Sequence, residues 1–196
     1  MIIPEDLLLA HGATTMEYPK GVAIFDRGEE AINYYQVKNG EVKMVNYSQE
    51  GQEFVQGFFK KGDSFGEPPI FGNFTYPASA VAAQRSKIFK LRKRHFFELL
   101  EAHFEIHKKF NRILSNRLRY KGMMLSEISS HSPEHRIRTL LSFLKDQIAL
   151  ESEFEIPYTR QQIADMTGLR VETVIRTIKK MESDGNLKIL NHKIVF

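Results

Sequence analysis

With 196 residues, 42% of them hydrophobic and 27% charged, the chain has the composition of a folded protein, with room for one large or two small cores. It contains no cysteine, which excludes disulfides, zinc fingers, a thiolate nucleophile and cysteine-ligated iron–sulfur clusters. The formal charge of +4 suits a polyanionic partner. No apolar run is long enough for a membrane span, and the start, Met1-Ile2-Ile3-Pro4-Glu5-Asp6, lacks the basic region and apolar core of a signal peptide. A cytoplasmic location with no membrane partner is the expectation.

From Thr15 to Leu91 the sequence predicts short strands punctuated by glycine turns at Lys20-Gly21, Arg27-Gly28, Asn39-Gly40, Glu50-Gly51 and Lys61-Gly62-Asp63. Their spacing from Gly28 onward, roughly eleven residues, is that of an antiparallel sandwich or barrel. The segments Val22–Phe25, Ile32–Val37, Glu41–Tyr47 and Glu53–Phe59 lie between the turns, and Ser79–Ala83 and Lys87–Leu91 follow as a further pair. Several alternate apolar and polar residues, as half-buried strands do. The region holds no histidine, and its carboxylates fall mainly in turns, so neither a catalytic nor a metal site is expected. The stretch Gly62-Asp63-Ser64-Phe65-Gly66-Glu67-Pro68-Pro69-Ile70-Phe71-Gly72 interrupts the pattern with a Gly-Glu ahead of a short apolar helical turn. Two readings stand: a plain surface loop, or a loop whose free backbone N–H groups face a ligand.

A short helix is predicted near Arg94, and a long one from about Phe104 to about Ser129. The long helix carries an apolar seam at Phe110, Leu114, Leu118, Leu125 and Ile128, interrupted at Lys121 beside Gly122. At 1.5 Å per residue it extends about 38 Å, more than one small domain covers, so the seam wants a partner: the β unit or a second copy of itself. Basic residues (Lys108, Lys109, Arg112, Arg117, Arg119, Lys121) crowd this segment. Ser129–Ser132 breaks the helix and marks a hinge. Ser132 as N-cap, Pro133 in the first turn and Glu134 behind it start another helix, with Ile137, Leu140, Leu141, Leu144 and Ile148 inward.

Tyr158–Lys180 predicts two short helices around a tight turn. Thr159 with Gln162 has the pattern of a capping box, Gly168 supplies the turn, and Val171, Val174, Ile175 and Ile178 form an inward stripe on the second helix. The other face offers Arg170, Glu172, Thr173, Arg176, Lys179 and Lys180, and Thr159 and Arg160 open the first helix. Glu172 and Arg176, one turn apart, suit base edges, and the lysines suit phosphates. Leu187–Leu190 and Lys193–Phe196, joined at Asn191-His192, make a wing. Double-stranded DNA is the expected partner.

The order of glycine-turned β unit, long helix and winged helix-turn-helix resembles the Crp/Fnr superfamily of bacterial transcription regulators over nearly the whole chain. The markers are the glycine turns, Gly62-Asp63-Ser64-Phe65-Gly66-Glu67, and Glu172-Thr173-Val174-Ile175-Arg176, which is similar to that family's Glu-Thr-x-x-Arg reading motif. The resemblance implies an α+β fold: an antiparallel β-roll of the cupin-like, cyclic-nucleotide-binding type over 1–102, a dimerisation helix and hinge over 103–131, and a winged helix over 132–196. It implies a homodimer on a palindromic TGA-type site, with RNA polymerase as a further partner and no enzymatic role. Glu172 would accept from a cytosine amine and Arg176 donate to guanine. Val171 before Glu172, as in the Fnr-like branch, points to a TTGA half-site. Ile175 is unusual at a reading position: it meets a thymine methyl, or the helix is rotated so that it packs inside.

The resemblance also implies an effector pocket at Gly66, Glu67, Tyr76, Arg117 and Lys121. Here the sequence departs from its relatives: Tyr76-Pro77-Ala78 stands where cyclic-nucleotide binders carry the Arg-Ser/Thr-Ala that clamps the phosphate. A cyclic phosphate would keep its charge poorly paired, which argues against cyclic AMP. Haem through His11 or His95 is a minor alternative. Either Arg117 pairs with Glu67 and closes the pocket, or Arg117 and Lys121 take a different, acidic metabolite, or no ligand acts at all. The competing reading of the whole chain is a cupin-like small-molecule-binding module whose C-terminal helices mediate protein contacts.

Overall fold

The computed structural model describes residues 1–47, 53–148 and 154–196, and the chain divides into two compact units, Met1–Ser115 and Asn116–Phe196. The Glu50-Gly51 turn lies outside the described residues.

The first unit is an antiparallel β-roll flanked by helices. Its strands are β1 (Thr14–Tyr18), β2 (Ala23–Phe25), β3 (Asn33–Asn39), β4 (Glu41–Tyr47), β5 (Glu53–Lys60), β6 (Ser64–Phe65), β7 (Ser79–Ala82) and β8 (Ser86–Arg92). They form two four-stranded sheets, ordered β1-β8-β3-β6 and β2-β7-β4-β5, in which β4 and β5 are consecutive in sequence and the other neighbours are not. Register follows burial: in β3, Tyr34 and Val37 are fully buried, and Tyr35 pairs with Lys90 on one side and Phe65 on the other. The roll is filled by rings. Tyr34 stacks on Phe96 at 4.5 Å between centroids, and Phe110 meets Phe96 edge-on at 5.3 Å, geometries in which aromatic pairs attract beyond the area they bury.

Two elements here escape the turn-based reading. Helix α1 (Glu5–Ala10) precedes the roll and buries Leu8, and β1 pairs with β8 along its whole length. The segment before α1 is fastened by buried Gln36: its amide accepts from the Ile3 N–H at 3.0 Å and donates to the Ile3 carbonyl at 2.9 Å, while the Tyr34 hydroxyl donates to the same amide oxygen at 2.7 Å. A buried amide so paired costs little, whereas an unpaired one would be strongly unfavourable.

After β6 comes the short α2 (Glu67–Gly72), the apolar helical turn expected within the interrupting loop, and after β8 comes α3 (Lys93–Ala102). Helix α4 (Phe104–Ser130) has the predicted extent. Its first turns belong to the roll, because Ile106 and Phe110 are buried in the aromatic core. Phe110, expected on the seam, is therefore not available to it; the ring fills the space beside Tyr34 and Phe96.

The second unit packs α5 (Pro133–Ile148), α6 (Arg160–Thr167) and α7 (Val171–Ser183) against a small sheet of β9 (Lys188–Leu190) and β10 (Lys193–Val195). Its core is Ile137, Leu140 and Leu141 of α5, Ile163 and Ala164 of α6, and Val174, Ile178 and Met181 of α7, closed by Leu187 and Ile194. Ser132 caps α5, its hydroxyl accepting from the His135 N–H at 3.3 Å. An extended stretch adds to the sheet: the Phe154 and Phe196 amides each donate to the other's carbonyl at 3.0 Å, and the Ile156 N–H donates to Ile194 at 2.8 Å.

Candidate nucleic-acid interface

The reading head is set by local chemistry. The Thr159 hydroxyl accepts from the Gln162 N–H at 3.1 Å while the Gln162 side chain accepts from the Thr159 N–H at 2.9 Å, a complete capping box. Helix α6 ends on Gly168 with φ of 66°, a conformation a Cβ would resist, and the chain re-enters α7 through an extended Arg170. Thr167 is buried and donates to the Ile163 carbonyl at 2.7 Å, so the polar side chain inside the turn is satisfied. Val174, Ile178 and Met181 turn one face of α7 into the core.

That orientation leaves Glu172, Ile175, Arg176 and Lys179 exposed at steps of three and four along one stripe, with Thr173 half-buried and Arg170 exposed at the helix entrance. Glu172 lies in the first turn, where a carboxylate is favoured by the helix dipole. Ile175, which the sequence left between two placements, is 42% exposed and lies outside the core. Lys180 faces elsewhere: its amine pairs with Glu134 at 3.1 Å, and Glu134 also takes Arg138 at 3.2 Å. The two cations hold the Glu134 carboxyl below its ordinary range, Lys180 contributing most, and Lys180 is raised in turn.

Beside the stripe lies a groove of about 560 Å³ between α7, the start of α6 and the wing. Its walls include Tyr158, Ile175 and Ile189, and its rim carries Arg160, Lys179, His192 and Lys193. The wing turn places Asn191 and His192 both at positive φ, 48° and 64°, the left-handed pair that a two-residue hairpin needs. Arg160 steadies it, its guanidinium donating to the His192 carbonyl at 3.1 Å, and loss of water lowers the Arg160 pKa. Lys193 pairs with Glu155 at 3.0 Å. The wing's share of this groove was missed by a reading centred on the helices, though its basic residues were visible next to the Asn191-His192 turn.

Of the effector positions, Gly66, Glu67 and Tyr76 belong to the first unit and Arg117 and Lys121 to the second. Gly66, Glu67 and Tyr76 come together in the roll. Glu67 is fully buried at the start of α2 and accepts from the Ser64 hydroxyl. Gly66 has φ of 74°, and a Cβ there would lie 2.9 Å from the Phe25 ring and 3.2 Å from that of Tyr76. Tyr76 is buried, stacked on Phe25 at 3.7 Å and donating to the Asn33 carbonyl at 3.3 Å; burial pushes its phenol pKa up. The space a side chain at Gly66 would need is thus taken by the chain's own rings. Arg117 and Lys121 lie one turn apart on α4, where burial, and then the charge of Arg117, lower the Lys121 pKa. His11, one of the two minor haem candidates, donates through Nδ1 to the Leu7 carbonyl at 2.9 Å, and its ring meets His103 edge-on. Among the described residues no group of three His, Asp or Glu side chains gathers as metal ligands, and no helix is long and apolar enough to cross a membrane.

Comparison with known proteins matches these two regions separately. Residues 15–103 fit the cyclic nucleotide-binding domain and residues 135–196 the Crp-like helix-turn-helix domain. The chain is similar to the fumarate and nitrate reduction regulatory protein of Salmonella typhi, 25% identical over 174 residues that span 87% of this chain and 69% of that protein. Its fold is similar to FixK2 from Bradyrhizobium japonicum, with a TM-score of 0.74 at 22% identity over 94% of this chain and 92% of that one. It is also similar to the c-di-GMP-responsive global regulator CLP of Xanthomonas campestris, with a TM-score of 0.71 at 22% identity over 97% and 96%. A sensor-type roll carrying a place for an effector, a long helix and a winged reading head are the parts of DNA-binding regulators rather than enzymes, and the chain belongs to the Crp/Fnr superfamily of transcription regulators.

Proposed function

We propose that the chain acts as a homodimer on a palindromic duplex site with TGA-type half-sites, TTGA in the Fnr-like form. The carrying observation is the exposed stripe Glu172–Arg176–Lys179 on a helix whose opposite face is locked into a core. Arg176 offers two parallel N–H donors to guanine O6 and N7, Glu172 accepts from a cytosine amine, and Lys179 meets phosphate. Arg170, Thr173 and the N-terminus of α6 with Thr159 and Arg160 complete the phosphate contacts.

Pairing of two copies is supported by α4. Leu118 is 73% exposed and Leu125 72%, on the same helix as half-buried Leu114, and the Ile128 side chain lies outside the described residues. Two large apolar side chains left in water on one long helix are what a parallel partner helix would cover, and a twofold pair would read two half-sites. In this reading RNA polymerase is the downstream partner and cyclic AMP is not the effector, because Tyr76 on Phe25 occupies the approach to Gly66 and no arginine stands at 76–78.

Selection of bound duplexes from a random pool by the full chain tests all of this together. The expected product is an inverted repeat of TGA-type half-sites. Recovery of no common sequence, with affinity indifferent to salt, would favour the small-molecule module that uses these helices for protein contacts.

A further inference from the structure

We infer that Ile175, with the groove beside it, reads the C5-methyl group of a thymine in each half-site. The inference rests on the DNA-reading assignment above and adds a specificity determinant to it.

Ile175 lies outside the buried core of the second unit. Val174, Ile178 and Met181 are fully buried, whereas Ile175 keeps 42% of its surface in water on the stripe that holds Glu172 three residues before it and Lys179 four after it. A β-branched side chain on an exposed helix face is disfavoured by lost rotamer freedom and gains nothing from solvent. It has no hydrogen-bonding group, so it can neither reach a base amine nor hold a phosphate. In the major groove the apolar feature a base edge presents is the thymine methyl, and a branched aliphatic side chain between two polar readers is shaped to meet it.

The surroundings narrow the occupant. Ile175 forms part of the wall of the 560 Å³ groove with Ile189 of the wing, while Arg160 and Lys179 stand at its rim. An apolar floor with a cationic rim fits a nucleic-acid edge, whose bases carry methyl groups and whose backbone is anionic, better than a hydrophobic protein helix, which would leave those cations uncompensated.

The test uses the full chain and the duplex selected from the random pool. Each thymine of a half-site is replaced in turn by deoxyuridine, which removes the methyl and nothing else, and binding is followed by fluorescence anisotropy. One thymine per half-site is expected to respond, with affinity falling about fourfold, the worth of one buried methyl-sized group. Ile175→Ala, a substitution compatible with the exposed helix face, is expected to bind the thymine and deoxyuridine duplexes equally while still requiring Arg176. Indifference of the wild-type chain to every deoxyuridine overturns the inference while the DNA-reading assignment stands. A full deoxyuridine penalty persisting in Ile175→Ala overturns it too, by assigning the methyl to another side chain. Absence of any sequence-specific, salt-dependent binding overturns both readings together.

Discussion

At the scale of single residues, charge and backbone geometry decide what can be replaced. Arg176 and Lys179 sit one turn apart on the same exposed stripe, yet they differ in kind. Arg176→Ala is expected to cost about 1–3 kcal/mol on the selected site and to relax preference at one base pair. Lys179→Ala should weaken binding to all sequences alike and reduce the slope of log affinity against log salt by about one; titrations at several salt concentrations separate the two. Lys180 is predicted to behave as neither, because Glu134 holds it. Gly66 tests the sensor. Gly66→Ala forces a Cβ into left-handed backbone, about 1–2 kcal/mol, and pushes it 2.9 Å from the Phe25 ring. Urea denaturation should show the variant destabilised, and Gly66→Ala made in a Phe25→Leu chain, compared with Phe25→Leu alone, should lose the collision but keep the backbone strain. Full recovery would mean that the φ of 74° carries no cost.

Among the elements, α4 is the one whose two ends do different things. Phe110 fills the roll, whereas Leu118 and Leu125 remain in water. Replacing both leucines by glutamate is expected to leave the roll folded and to give a monomer by sedimentation, with half-site affinity only; a dimer surviving that change would put the interface elsewhere. The same helix shows where sequence reasoning stops. Its extent was legible from periodicity, but the periodicity could not say that Phe110 would leave the seam, since that depends on Tyr34 and Phe96 arriving from distant parts of the chain. The reading head was legible in detail because its determinants are local: Thr159 with Gln162, Gly168, and the Asn191-His192 turn each act within a few residues. Strand β1 and helix α1 were not. The first is fixed by register against β8, and the second, with no side-chain cap, by burial of Leu8.

For the molecule as a whole, the roll matches a cyclic nucleotide-binding domain and carries Gly66-Glu67, with the Glu67 carboxylate buried and accepting from Ser64 and with Tyr76 stacked on Phe25 beside Gly66. Millimolar cyclic AMP is therefore expected to leave the unfolding temperature unchanged. A rise of several degrees would require preferential binding to the folded state, and so an aromatic stack that opens. Tyr76-Pro77-Ala78 was legible in the sequence; that Tyr76 turns inward was not, because stacking on Phe25 brings together residues about fifty positions apart.

Seating Phe110 among the rings of the roll has a mechanical consequence. It makes α4 a pointer clamped near one end. The direction in which the helix leaves the roll is therefore set by how Tyr34, Phe96 and Phe110 nest.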